Sequence, residues 1–171
     1  MRGFTLLELM VTIGIIAILA AILIPAISGA LENARRKRAK ATVTALKLAW
    51  ESYYREYGAW PATLLPKPPK DDEDPWGAVD QSVLNIFTGS DTNYNPRKIA
   101  FMELPAEVRA GKKSFVDPWK RSYLFGLDMN YDDVMRLGCC GTGKDIYGTV
   151  AVWTPGGDGQ TDTKDDVKSW E

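Results

Sequence analysis

The carboxylates near the end of the chain are its densest source of possible chemistry. Thr154-Pro155-Gly156-Gly157-Asp158-Gly159-Gln160 leads within a few residues to Asp162, Asp165 and Asp166. Glycines permit a tight backbone, so several carboxylates can converge in one short loop. Calcium takes its oxygens from carboxylates and backbone carbonyls together. A solvated acidic turn has the same composition, so the loop reads either as a calcium site or as an ordinary turn. At the other end of the chain, Glu8 stands before a run from Leu9 to Leu31 that has no charged side chain. An acid at the centre of a membrane helix costs roughly 2.5–3.5 kcal/mol, and less near the interface, so Glu8 needs a partner. One is local: Thr5 and Glu8 match the S/T-x-x-E capping box.

Other chemistry is weakly supported. The 171 residues include no histidine, the commonest general base and metal ligand. No nucleophile–base constellation stands out either. Gly138-Cys139-Cys140-Gly141-Thr142-Gly143-Lys144 opens like a phosphate-binding loop, but Asp145 occupies the Ser/Thr position and would repel phosphate. Asp128-Met129-Asn130-Tyr131-Asp132 opens like an EF-hand. Asp133 replaces its glycine and Cys139 its closing glutamate, so the segment reads as a turn. The adjacent Cys139 and Cys140 define neither a disulfide framework nor a zinc site. With 21 basic and 22 acidic residues, the chain lacks the positive excess of a general nucleic-acid binder.

Three kinds of element could hold the Leu9–Leu31 run: a membrane helix, a secretory signal peptide or a buried core helix. A core helix would show a polar face, and this run shows none. Arg2 and Ser28-Gly29-Ala30 suit a signal peptide, but the apolar stretch exceeds the usual ~7–15 residues. A retained membrane helix fits best. Arg35-Arg36-Lys37-Arg38 and Lys40 follow the span and only Arg2 precedes it. The positive-inside rule alone would therefore place the rest of the chain in the cytoplasm. The cluster itself reads as a solvated or headgroup-facing patch.

Beyond Glu32 the pattern changes. Ala39, Val43, Leu46, Trp50, Tyr53 and Tyr57 recur at steps of four and three, which puts them on one helical face. Gly58 and Pro61 end the helix. One helix is expected from Thr5 to Tyr57, roughly 80 Å long. Residues 61–80 read as loop, and the acidic run Asp71-Asp72-Glu73-Asp74 as a solvated part of it. Ser82–Phe87 reads as a short helix, and Lys98–Leu104 is ambiguous. Ser122–Leu127 and Tyr147–Trp153 read as strands, and Val167–Trp170 as an edge strand. The expected fold is α+β, a long N-terminal helix packed against a small antiparallel C-terminal β-sheet.

Gly3-Phe4-Thr5-Leu6-Leu7-Glu8, followed by the apolar run, resembles the cleavage motif of type IV pilins and type II secretion pseudopilins. Asp117-Pro118-Trp119, Tyr123, Trp153 to Gly159, Asp165-Asp166-Val167 and Trp170 resemble the C-terminal pattern of the major pseudopilins. Two departures are Lys120, where glycine is usual, and a long insert between Trp60 and Asp117. The resemblance implies a type IV pilin-like fold in four parts: a leader 1–3, a membrane and polymerisation helix 4–31, its amphipathic continuation 32–60, and an extracytoplasmic region 61–171. It implies cleavage between Gly3 and Phe4 by a prepilin peptidase, with N-methylation of Phe4. Glu8 would then pair with the Phe4 amino terminus of a neighbouring subunit, the charge pair setting register. It further implies a structural calcium on Asp158, Asp165 and Asp166, helped by carbonyls near Pro155, Gln160 and Thr163. Flexibility between Gly14 and Pro25 is another family expectation. The implied partners are other copies of the chain, the assembly platform of the inner membrane, minor pseudopilins and membrane lipid, but not nucleic acid. The filament would stand in the periplasm and do no chemistry. A type IV pilin for adhesion, motility or DNA uptake, and a secreted enzyme, are the rival readings.

Overall fold

A computed structural model describes residues 5–61, 64–65, 74–111, 113–138 and 145–171. Its elements are α1 (Leu6–Tyr57), β1 (Trp76–Ala78), α2 (Gln81–Phe87), α3 (Ala106–Arg109), β2 (Leu124–Leu127), β3 (Val134–Met135), β4 (Ile146–Tyr147), β5 (Val150–Thr154) and β6 (Val167–Lys168). The chain divides into two compact units, one up to Lys37 and one from Arg38 onward.

In the first unit α1 carries no charged side chain from Leu9 to Leu31. Of its most apolar stretch, 0% is buried. The helix continues through Gly14 and Pro25 without interruption. Proline removes one backbone hydrogen bond, which a long helix tolerates where its neighbours stay paired.

In the second unit α1 turns one face inward. Ala39, Val43, Leu46, Ala49, Trp50 and Tyr53 are buried, so the stripe that the spacing predicts is present with Ala49 added, while its last member, Tyr57, is only half-buried against the core. The helix stops where Gly58 enters the left-handed region at φ +68° and donates its N–H to the Tyr54 carbonyl at 2.8 Å. Against this face lies a four-stranded antiparallel sheet in the order β1-β2-β5-β6. Phe125, Leu127, Val150 and Val152 join the helix face in the main core, where Trp50 stacks on Phe125 and meets Phe87 edge-on. Ala151 and Trp153, from alternate positions of β5, face a second cluster with Met135, Leu137 and Ile146. With clusters on both sides, β5 is buried along its whole length. The Lys40 ammonium donates to the Lys168 carbonyl at 2.6 Å and to the Glu171 backbone oxygen at 2.5 Å, tying the last residues to the helix.

The α+β architecture matches the expectation, and several local details differ. The strand expected over Tyr147–Trp153 is two strands in different sheets, because Gly148 at φ +134° breaks the extended run. Residues 61–80, expected as loop, include β1. Asp74, expected to be solvated, is 5% exposed and accepts the N–H groups of Met129 and Arg136. Burial pushes its carboxyl up, against the pull of those two hydrogen bonds. The turn after Asp128 is present: its fully buried carboxylate accepts from the backbone of Tyr131, Asp132 and Asp133. Lys98–Leu104 adopts no regular element. Cys139, Cys140 and most of the phosphate-loop look-alike lie outside the described residues, as do residues 71–73.

Candidate functional site

Two places carry the residues singled out in the sequence. At the start of α1 the capping box forms. The Thr5 N–H donates to Glu8 Oε2 at 2.9 Å, the Glu8 N–H donates to Thr5 Oγ1 at 3.2 Å, and the Thr5 hydroxyl donates to Glu8 Oε2 at 2.7 Å. The helix thereby satisfies its first donors locally, and the carboxylate stays exposed. Gly3 and Phe4, the two residues of the expected cleavage step, lie outside the described residues.

The second place is the loop between β5 and β6. Its entry is fixed by a buried carboxylate. Asp117 is 4% exposed and accepts the Trp119 N–H at 2.9 Å, the Arg121 N–H at 2.7 Å and the Thr154 hydroxyl at 2.5 Å. Its own N–H donates to the Arg121 carbonyl at 2.8 Å, and Lys120 donates to the Asp117 carbonyl at 3.0 Å. This closes a turn with Lys120 at φ +70°. The left-handed backbone at Lys120 is the physical reason a glycine suits that position.

Within the loop the expected residues come together in part. Asp165 Oδ2 accepts the Asp158 N–H at 2.9 Å, and Asp158 Oδ1 accepts the Gln160 N–H at 2.8 Å. The Thr163 hydroxyl lies 2.5 Å from Asp165 Oδ1, 3.2 Å from Asp166 Oδ1 and 3.3 Å from the Gln160 carbonyl oxygen. A hydroxyl has one proton, so it satisfies only one of these three acceptors at a time. Asp166 Oδ2 accepts the Asp162 N–H at 2.8 Å and faces Lys168 Nζ at 3.8 Å, with the Asp166 side chain 2% exposed. Burial works to raise the Asp165 carboxyl, but hydrogen bonds from the Thr163 hydroxyl and Asp158 outweigh it and bring the group down to about 2.

Among the described residues, no three Asp, Glu, Cys or His side chains gather as a ready metal cluster. The oxygen set around Thr163 nevertheless suits a hard cation. Two carboxylates, one carbonyl and one hydroxyl converge, with more acceptor capacity than protons to fill it. Gln160 and Thr163 belong to this set, Thr163 through its hydroxyl. Pro155 is buried at the end of β5 and takes no part in the hydrogen bonds of the set. The reading by sequence did not single out Arg121, whose guanidinium donates to the Gly156 carbonyl at 2.7 Å and to the Gly157 carbonyl at 3.0 Å. A basic residue at the exit of an Asx-type turn was the only available signal.

The family described as the prokaryotic N-terminal methylation motif matches residues 1–24. Two relatives match along nearly the whole chain. A type II secretion system core protein G from Pectobacterium carotovorum subsp. carotovorum is 34% identical over 99% of this chain and 84% of its own length. The protein of the same name from Dickeya chrysanthemi is 27% identical over 99% of this chain and 86% of its own length. A fimbrial protein, EcpC of Eikenella corrodens, is 43% identical over only 36% of this chain and 40% of its own length. No solved structure matches the chain. A methylation motif at the amino end and end-to-end similarity to core protein G together place this chain in the type II secretion core protein G family, the major pseudopilins.

Proposed function

We propose that this major pseudopilin is cut between Gly3 and Phe4, methylated on Phe4, stored in the inner membrane and polymerised through α1 into a periplasmic pseudopilus that drives protein export. The observation that carries this reading is the bare helix. The most apolar stretch of α1 is wholly unburied, whereas the core begins only at Ala39. Such a surface requires lipid or other apolar helices around it. In a packed filament the Phe4 amino terminus of one subunit meets the exposed Glu8 of the next, and pairing removes the cost of two unpaired charges in an apolar setting. A prepilin peptidase, an assembly platform of the inner membrane and minor pseudopilins are its partners. Its role is structural, without catalysis. A calcium ion in the β5–β6 loop, held by Asp165, Asp166 and the Gln160 carbonyl with Asp158 nearby, would neutralise the carboxylates and tie β6 to β5. The brief match to a fimbrial protein stands on the side of a type IV pilin, and it spans 36% of the chain.

The test separates the two roles available to Glu8. In cells, Glu8→Ala should insert and be cut normally, with the new amino terminus at Phe4 by intact mass, yet yield few filaments by electron microscopy. Filaments at wild-type yield would reduce Glu8 to a helix cap, whose loss costs about 0.5–2 kcal/mol.

A further inference from the structure

The cradle of carbonyls at the mouth of the β5–β6 loop already holds a cation, and it belongs to the chain. Arg121 places one guanidinium nitrogen on the Gly156 carbonyl and the other on the Gly157 carbonyl. Gly159, at φ +75°, brings its backbone so close that a Cβ there would lie 2.4 Å from Arg121 Cζ. Gly156, at φ +64°, packs so tightly on Asp165 that a Cβ would lie 2.3 Å from the Asp165 carbonyl oxygen. Two glycines thus shape the loop around a guanidinium on one side and Asp165 on the other. The base of the Arg121 side chain is itself immobilised, because its N–H and carbonyl are both bonded to Asp117.

We infer that Arg121 is a tethered cation that locks the β5–β6 loop and preorganises it for the metal. The division of labour follows from the distances. The guanidinium takes the carbonyls of Gly156 and Gly157. The oxygens of Asp165, Asp166 and Gln160 around Thr163 remain free of it. Arginine and metal therefore act on different oxygens of one loop and reinforce each other. A planar fork suits two adjacent carbonyls, and a single ammonium does not. The metal half of this inference rests on the calcium reading above; the lock itself does not.

Hydrogen exchange on the full chain in detergent micelles, read by mass spectrometry, tests both halves. In chelator, Arg121→Gln should speed exchange across residues 157–166 by at least about tenfold, since two charge-assisted hydrogen bonds are lost. Residues 39–57 should keep their wild-type protection, and Arg121→Lys should recover little of the loss. Unchanged exchange in 157–166, or an equal rise in 39–57, would overturn the lock. Calcium titrated into both proteins reads the other half. Arg121→Gln should need about tenfold more calcium to reach full loop protection, because fewer loops start in the competent shape. Tighter binding by the variant would mean that guanidinium and metal compete, and would overturn the preorganising role. Absence of any calcium effect on the wild-type loop would instead remove the calcium reading and leave the result in chelator to decide the lock.

Discussion

Lys120 and Gly156 occupy the same left-handed region of backbone space and should respond oppositely to substitution. Lys120 is exposed, so its side chain has little packing to lose. A non-glycine residue there costs roughly 1–2 kcal/mol, and glycine gives back about 0.5–1 through its freedom when unfolded. Lys120→Gly should therefore stabilise the protein by about 0.5–1 kcal/mol, seen as a rise of a few degrees in melting temperature. At Gly156 a methyl group would meet the Asp165 carbonyl oxygen. Gly156→Ala should cost about 2–5 kcal/mol from strain and overpacking together, measured by the same melting experiment. At this scale the sequence revealed residue types but not their geometry. Asp158, Asp165 and Asp166 were visible as an acidic set, whereas only the folded loop shows that Thr163 gathers Asp165 with Asp166 and that Asp158 meets Asp165 through its N–H.

Among the elements, those with a long periodic signal were legible. The four-and-three spacing from Ala39 to Tyr53 names the buried face of α1, because a helix that packs on one side must repeat its apolar residues at that period. β2 and β5 were legible as aromatic and β-branched runs. β1 and β3 were not, and β4 was merged with β5, since strands of two or three residues hold little period to read and tertiary pairing decides them; β6, equally short, was anticipated only within the wider segment Val167–Trp170. Trp50 is the residue on which helix and sheet converge, with rings of Tyr53, Trp60, Phe87 and Phe125 around it. Trp50→Ala should cost about 3–5 kcal/mol. The buried indole N–H has no hydrogen-bond partner among the described residues. Trp50→Phe should therefore cost distinctly less, because it removes that donor while keeping a ring in the space. Denaturant melts of both variants in detergent check the order. The β5–β6 loop belongs to this scale too. If calcium sits there at a hundredfold excess over its Kd, it stabilises the folded state by about 2.7 kcal/mol. The melting temperature should then fall in chelator and recover with calcium better than with magnesium, which dehydrates reluctantly. Identical melts with calcium and with chelator would remove the metal from the loop.

At the scale of the whole molecule, the order of apolar run, amphipathic helix and sheet was readable from one end to the other, because each part has a different hydrophobic period. Orientation in the membrane was not, because charge and family point opposite ways. Five basic residues lie between Arg35 and Lys40, directly after the apolar run. Arg35 is offset in part by Glu32 at 3.5 Å, and Lys40 is engaged with the last residues of the chain. Arg36 and Lys37 make no ion pair among the described residues, so they carry much of the penalty for crossing. In the orientation proposed above, the region from Arg38 onward would cross against the positive-inside preference, which counts Lys and Arg close to the span and gives acids little weight. Replacing Arg36 and Lys37 with glutamine should therefore raise the fraction of newly made chains that place this region outside the cytoplasm. Protease added to spheroplasts reads that fraction as loss of full-length protein. A fraction that is unchanged and already complete in the wild type would show that the secretion machinery, rather than charge, sets the topology. A fraction that falls would show that the basic residues assist export rather than oppose it.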